Sequence, residues 1–188
     1  MSFLIQQTLL YAVPLMLVAL AGVFAERSGI INLALEGIMI FGAFVGVFFV
    51  RLMQGVDVFA SAAISGGWLT LQGLDLLAML VAAALGAVFS LLLSFASVNL
   101  RADQTIGGTA LNLMAPALVL FLVRVIANQN TLQMATGDAA SWFMIKKTTL
   151  GFDRTADLGF FGNTFIHKVY LATYVCILLF VVLSIILY

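Results

Sequence analysis

The sequence predicts an all-α fold, a polytopic transmembrane helical bundle, and two bulk properties carry that prediction. The mean hydropathy is +1.19, and only 9% of the 188 residues are charged, whereas a soluble domain carries about a quarter. A chain with so few charged residues cannot cover its surface with polar groups, so lipid must surround much of it. A third observation agrees, because several apolar stretches are long enough to cross a bilayer.

Five spans follow from the thickness of the membrane. A hydrocarbon core of roughly 30 Å requires about 20 apolar residues of helix, and its backbone groups must satisfy one another, which favours helices. The first stretch has no Lys or Arg before Arg27, so it lacks the basic region of a cleaved signal peptide and is predicted to be a retained helix. The predicted spans are Phe3–Ala25, Ile30–Val50, Leu76–Val98, Thr105–Ile126 and a fifth from Val169 to Tyr188.

The connections between these spans predict an orientation. Arg27 and Arg101 lie in short connections on one side of the membrane, and Arg51 lies on the other. Because basic residues in short loops favour the cytoplasm, we expect Arg27 and Arg101 to be cytoplasmic and the long 128–168 connection to be outside. Within the connection from Arg51 to Asp75, the pattern Ser65-Gly66-Gly67-Trp68 fits a re-entrant or interfacial segment.

The end of the chain predicts its domain organisation. The fifth span is still apolar at Tyr188 and has no polar flank or charged anchor there. Membrane helices usually finish with such residues. We therefore expect residues 1–188 to form a single transmembrane domain that is the N-terminal part of a longer chain.

The second span contains a carboxylate and an amide within an apolar stretch. Asn32 and Glu36 are four residues apart, so a continuous helix would place them on one face. A carboxylate in a membrane span costs roughly 3 kcal/mol on insertion scales and usually faces a cavity or a partner. Two interpretations remain open: the pair lies beside a substrate path or helix break, or Glu36 accepts hydrogen bonds from a neighbouring helix.

The fourth span contains an uncharged polar stripe. Thr105, Thr109 and Asn112 fall at positions i, i+4 and i+7, and Gly107-Gly108 between them would loosen the helix or admit another backbone closely. The stripe can hydrogen-bond a polyhydroxylated solute, or it can hold helices together through contacts worth under about 2 kcal/mol each. Small residues elsewhere predict close helix packing and no recognition; they are Gly42, Gly46, Ala82, Gly86, Ser90 and Ser94.

Several function classes are disfavoured by missing motifs. The sequence has no G-x-x-x-x-G-K-[ST] phosphate loop and no H-E-x-x-H, and it contains one cysteine and one histidine, His167. We therefore expect no catalytic residues, no metal site and no cofactor in this chain. With 8 basic and 8 acidic residues, the formal net charge is zero, so nucleic acid is not an expected partner.

Two longer motifs resemble a known family. The stretch from Glu26 to Gly37, ERSGIINLALEG, and the stretch from Leu100 to Leu113, LRADQTIGGTALNL, are similar to the permease subunits of binding-protein-dependent ABC importers, in the nucleoside and simple-sugar branch. A shorter likeness is LGFFG from Leu158 to Gly162. Ala34 stands where that family commonly has glycine, and the chain ends before the cytoplasmic loop that docks on the ATPase.

The resemblance implies a multi-pass permease in the bacterial inner membrane that works by alternating access. It also implies three protein partners: a cytoplasmic ATP-binding subunit, a second permease subunit and an extracytoplasmic solute-binding protein. The expected substrate pathway residues are Asn32, Glu36, Thr105, Thr109 and Asn112. Alternatives remain open: an ion-coupled secondary transporter that uses Glu36 as its only candidate carboxylate, an ABC permease for branched-chain amino acids, and a membrane scaffold without a transport path.

Overall fold

The fold was analysed in a computed structural model that describes residues 2–57, 61, 67–128, 130–132, 143–145, 159–165 and 169–188. Its six helices and two strands, within those ranges, occur in the order α1 Ser2–Arg27, α2 Leu35–Gln54, α3 Trp68–Val98, α4 Gln104–Ala127, β1 Met144–Ile145, α5 Gly159–Phe165, β2 Val169–Tyr170 and α6 Leu171–Leu187. Helices α1 to α4 are long and apolar enough to cross a membrane, and α6 is a shorter apolar helix of 17 residues. The predicted all-α membrane bundle is confirmed.

Three predicted boundaries differ from the observed ones. Helix α2 begins at Leu35 and not at Ile30, because the residues before it are not helical. Helix α3 begins at Trp68, so Asp75 lies inside a span and not in a connection. The fifth span loses its first two residues to β2, which pairs antiparallel with β1. Ser65, Gly66 and His167 lie outside the described residues.

The helices form two packed groups. Helix α2 packs between α3 and α4, while α1 packs along α6 and contacts α5. Gly42 and Gly46 of α2 face Ala82 of α3. A Cβ at Gly42 would lie 3.7 Å from the Ala82 carbonyl oxygen, and a Cβ at Gly46 would lie 3.5 Å from the Ala82 Cβ. The small residues therefore bring α2 and α3 together, as the sequence predicted.

The bundle has two distinct ends. Arg27 of α1 donates a hydrogen bond to the Leu187 carbonyl of α6 at 2.7 Å, and Gln6 donates to the Thr164 carbonyl of α5 at 3.3 Å. Helices α1 and α6 therefore run parallel. We call the end that holds Arg27 and residues 99–103 the Arg27 end. Strands β1 and β2, with Phe143 before β1, are called the ribbon, and the end that holds the ribbon and α5 is the ribbon end. The predicted grouping of Arg27 with Arg101, opposite the described parts of the long connection, is confirmed.

Two apolar clusters stabilise the bundle, one toward each end. The first surrounds a stacked pair of rings, Phe41 and Phe89, whose centroids are 4.5 Å apart. Its buried members are Ala34, Phe89, Leu93, Leu111 and Ala115. The second joins α2 and α3 to the ribbon through Val50, Leu74, Ala78 and Phe143. Many large apolar side chains outside these clusters are exposed, as expected for a surface in contact with lipid.

Candidate functional site

A break in the second predicted span forms the centre of the candidate site. Residues 30–34, which we call the entry segment, connect α1 to α2 without helical structure and lie along the first turns of α4. The backbone N–H of Ile31 donates to Gln104 Oε1 at 3.0 Å. A Cβ at Gly108 would lie 2.9 Å from the Cβ of Leu33 and 3.2 Å from its Cα. The entry segment can approach α4 this closely because residue 108 has no side chain.

Asn112 of α4 joins the entry segment to the first turn of α2. Its Oδ1 accepts a hydrogen bond from the Gly37 N–H at 2.7 Å, and its Nδ2 donates to the Leu33 carbonyl at 2.6 Å. In a continuous α-helix these two backbone groups, four residues apart, would bond to each other. The Asn112 carboxamide is therefore inserted into the helical ladder, and the next bond, from Ile38 N–H to the Ala34 carbonyl, is 2.9 Å.

Asn32 has a local role within the entry segment. Its Oδ1 accepts from the Ala34 N–H at 3.0 Å, which is the geometry of an Asx turn. The expectation that Asn32 and Glu36 share one helical face is wrong, because Asn32 precedes the helix. Glu36 lies in the first turn of α2 with an exposed side chain, where a carboxylate interacts favourably with the helix dipole.

The start of α2 lies beside the third turn of α4. Asn112 is eight residues beyond Gln104, the first residue of α4, and at 1.5 Å per residue this corresponds to about 12 Å along the helix. The N-terminus of α2 therefore lies about 12 Å from the start of α4. Broken membrane helices with buried N-termini occur at substrate sites in several transporter folds.

The polar stripe of α4 is divided between two environments. Asn112 faces α2, whereas Thr105 and Thr109 are exposed. The Thr109 hydroxyl is 3.0 Å from the carbonyl oxygens of both Thr105 and Ile106, so it bonds within its own helix. The structure therefore brings Asn32, Glu36 and Asn112 together around the break and leaves the two threonines on the surface of α4.

Asp103 fixes the start of α4 next to this stripe. Its carboxylate accepts from the N–H groups of Thr105 at 2.7 Å and Ile106 at 3.2 Å. These bonds, with Ile106 the larger contributor, hold the pKa of Asp103 below its ordinary value. The carboxylate is an N-cap and therefore stabilises the helix that presents the stripe.

Three participants in this site were not predicted from the sequence: Gln104, Gly37 and the backbone of Leu33. A Cβ at Gly37 would lie 3.0 Å from Asn112 Oδ1 and 3.0 Å from the Leu111 carbonyl oxygen. One signal was available, because Gly107-Gly108 predicted a close backbone approach, and Gly108 confirms it. Among the described residues, no group of acidic, histidine or cysteine side chains could hold a metal ion.

Comparisons with known proteins agree with this architecture. The family model described as "Branched-chain amino acid transport system / permease component" matches residues 4–188. The guanosine ABC transporter permease protein NupQ of Bacillus subtilis is 45% identical over 126 residues, which are 67% of this chain and 35% of that protein. The nucleoside ABC transporter permease protein NupC of Lactococcus lactis subsp. cremoris is 41% identical over 134 residues, 71% of this chain and 38% of that protein.

The comparisons also set the extent of the similarity. An uncharacterized Mycoplasma genitalium protein, MG121, is 38% identical over 113 residues, 59% of this chain and 33% of that protein. The chain thus spans little more than a third of the length of these relatives. No solved structure gives a significant match.

Proposed function

Because the chain belongs to the permease component family of branched-chain amino acid transport systems, a multi-pass cell membrane family that is not itself catalytic, we propose that it is a permease subunit of an ATP-driven nucleoside importer. The observation that supports this proposal is the identity of the chain, 45% and 41%, to permeases named for guanosine and for nucleosides. The uncharged amide and hydroxyl groups near the α2 break fit a neutral, hydroxyl-rich solute.

The family implies a transporter complex, and the proposal specifies its members. A separate cytoplasmic subunit binds and hydrolyses ATP, a second permease subunit completes the membrane path, and an external solute-binding protein delivers the nucleoside. The Arg27 end faces the cytoplasm and the ribbon end faces outside, following the distribution of basic residues in the short connections. Binding and hydrolysis of ATP drive alternating access.

The broken helix gives this mechanism a two-state element. With the Asn112 carboxamide inserted, the Gly37 N–H and the Leu33 carbonyl are bonded to α4. If α4 moves away, the same two groups can bond to each other and extend α2 by one hydrogen bond. Neither arrangement leaves the Gly37 N–H or the Leu33 carbonyl unpaired, so their exchange of partners costs little free energy. The Ile31 N–H needs a new partner in the second state, because its bond to Gln104 Oε1 of α4 is lost. A passing solute then meets Glu36, Thr105, Thr109 and the released Asn112 carboxamide at this end.

Uptake by the complete transporter tests the proposal. Cells that express the full-length permease with its partner subunits should accumulate labelled guanosine, and cells without the permease should not. Uptake should stop when ATP is depleted and should persist when ion gradients are collapsed. The reverse pattern would support an ion-coupled transporter, and absence of nucleoside uptake would contradict the proposal.

A second candidate follows from the description of the family. Branched-chain amino acids are zwitterions, and their recognition requires groups that pair with both an ammonium and a carboxylate. In the described part of the α2 break, Glu36 can pair with the solute ammonium, and the N-terminus of α2 can hold the solute carboxylate. Leucine uptake measured in the same cells distinguishes the two substrates, and we expect guanosine to be preferred.

A further inference from the structure

A groove at the ribbon end was not anticipated from the sequence. Two adjoining cavities, of about 220 Å³ and about 280 Å³, lie between α1, α3, α6 and the ribbon. Both are lined by Leu10, Tyr170 and Thr173. Their combined volume lies in the lower part of the range for small-molecule sites, which is about 300–1,000 Å³. We call this pair of cavities the ribbon-end groove.

Asp75 is the one charged side chain that lines the groove among the described residues. It lies seven residues into α3, about 10 Å from the start of that helix. The side chain is partly buried, and within the described part of the chain it has neither a hydrogen bond nor an ion pair. An acidic group inside a membrane span is costly and usually serves a solute, an ion or a partner group.

The other lining residues define what Asp75 could bind. Asp75 is the charged group of the described lining, and its carboxylate favours a solute that donates hydrogen bonds over an anionic one. Uncharged polar side chains come from α1, β2 and α6, and they are Gln6, Gln7, Tyr170 and Thr173. The remaining surface is mainly apolar and includes Phe3, Leu9, Leu10, Val13 and Phe143. A neutral solute with adjacent hydroxyl groups and a flat apolar part matches both regions.

We propose that the ribbon-end groove binds the ribose of a nucleoside, with Asp75 accepting hydrogen bonds from the 2′ and 3′ hydroxyls. This inference rests on the proposed import of nucleosides and adds the group that selects the sugar. Hydroxyl-to-carboxylate bonds are charge-assisted and stronger than neutral ones. A site that uses such bonds rejects an analogue without the hydroxyls, because the carboxylate is then left without a partner.

The test compares two solutes in cells that express the full-length transporter. Guanosine carries both hydroxyls, and 2′,3′-dideoxyguanosine lacks them. Wild type should show a KM for the dideoxy compound that is higher by about tenfold or more. Asp75→Asn should raise the KM for guanosine by about the same factor and should remove most of the preference between the two solutes. Asp57→Asn is the matched control, since Asp57 is an exposed carboxylate beyond α2 that lines neither cavity.

Different failures separate the two proposals. If wild type imports guanosine and Asp75→Asn keeps both its KM and its sugar preference, the ribose site is wrong and the import function stands. If wild type imports no nucleoside, both proposals fail. A fall in Vmax for both solutes without a change in KM would assign Asp75 to coupling or folding and overturn the inference.

Two further measurements complete the test. If Asp75→Asn does not reach the membrane, Tyr170→Phe removes one hydroxyl from the groove, and the guanosine KM should then rise by about threefold or more at unchanged Vmax; an unchanged KM would overturn the inference. Free ribose offers the same pair of hydroxyls without the base. It should not inhibit guanosine uptake near the guanosine KM, and strong inhibition would assign the groove to a free pentose.

Discussion

Replacement of Asn112 by leucine tests the inserted carboxamide directly. Leucine has a similar size but cannot make the bonds to the Gly37 N–H at 2.7 Å and the Leu33 carbonyl at 2.6 Å. Side-chain hydrogen bonds between membrane helices contribute about 0.6 kcal/mol on average and about 1.7 kcal/mol at most, so two of them contribute roughly 1–3 kcal/mol. The two freed backbone groups can then bond to each other and recover part of this loss. We expect a net destabilisation of about 1–2 kcal/mol.

Thermal unfolding of the purified full-length permease in detergent measures this loss. A destabilisation of that size should lower the apparent Tm by a few degrees. Thr109→Val is the matched control, because Thr109 lies one turn away on α4 and, among the described residues, its hydroxyl bonds to the backbone of α4 alone. The control should change stability by less than about 0.5 kcal/mol. An unchanged Tm for Asn112→Leu, or equal losses in both variants, would refute the insertion.

Three further substitutions test other contacts through the same Tm. Gly108→Ala should destabilise the permease by about 1–3 kcal/mol, because the added Cβ would lie 2.9 Å from the Leu33 Cβ. Gly73→Ala is the control: no atom lies within 4 Å of its added Cβ, so it should be neutral or stabilising. Equal effects of the two substitutions would contradict the close approach. Asp103→Ala should lower the Tm at neutral pH. The pKa of Asp103 is lowered in the folded state, so its contribution is complete above the ordinary carboxyl pKa and is lost as the pH falls through the lower folded-state pKa. The difference in Tm between variant and wild type should therefore begin to shrink below about pH 4. Gln72→Leu should change stability by less than about 1 kcal/mol, because two effects offset each other. It removes the 3.2 Å bond from Gln72 Nε2 to the Phe143 carbonyl, and it also removes a buried Oε1 that has no partner among the described residues. A larger loss would indicate a partner for that oxygen.

The apolar helices followed from composition because the thickness of the hydrocarbon core sets the length of each apolar stretch. Helices α1 and α4 therefore agree with the prediction to within two residues at each end. The beginning of α2 was missed for a physical reason. Residues 30–34 are about as apolar as the residues of the membrane helices. Hydropathy does not reveal that the backbone groups of residues 30–34 are hydrogen-bonded by side chains of another helix. Asp75 was treated as the end of a connection, and this removed the first turns of α3 from the predicted span.

The candidate residues stand out in the sequence as polar groups within apolar stretches, but their geometry depended on contacts between distant segments. Asn112 and Gly37 are 75 positions apart, and no local pattern specifies that α2 packs on this face of α4. The helical period predicted one stripe from Thr105 to Asn112. The stripe covers only about 60° of the helix circumference, and Asn112 lies on the side nearest Gly108, where the entry segment packs. Packing of the entry segment therefore covers Asn112 and leaves Thr105 and Thr109 exposed.

The backbone of the entry segment explains why these polar residues lie in a membrane bundle at all. Non-helical backbone at this depth requires hydrogen-bond partners, because lipid supplies none. Three side chains supply them: Gln104 accepts from Ile31, Asn32 accepts from Ala34, and Asn112 bonds both Gly37 and Leu33. These three are required before any solute arrives, so their substitution should change stability together with transport. Glu36, Thr105 and Thr109 satisfy no described group of the entry segment. Their substitution therefore separates the two roles, because a change in solute KM without a change in Tm would be an effect on the path itself.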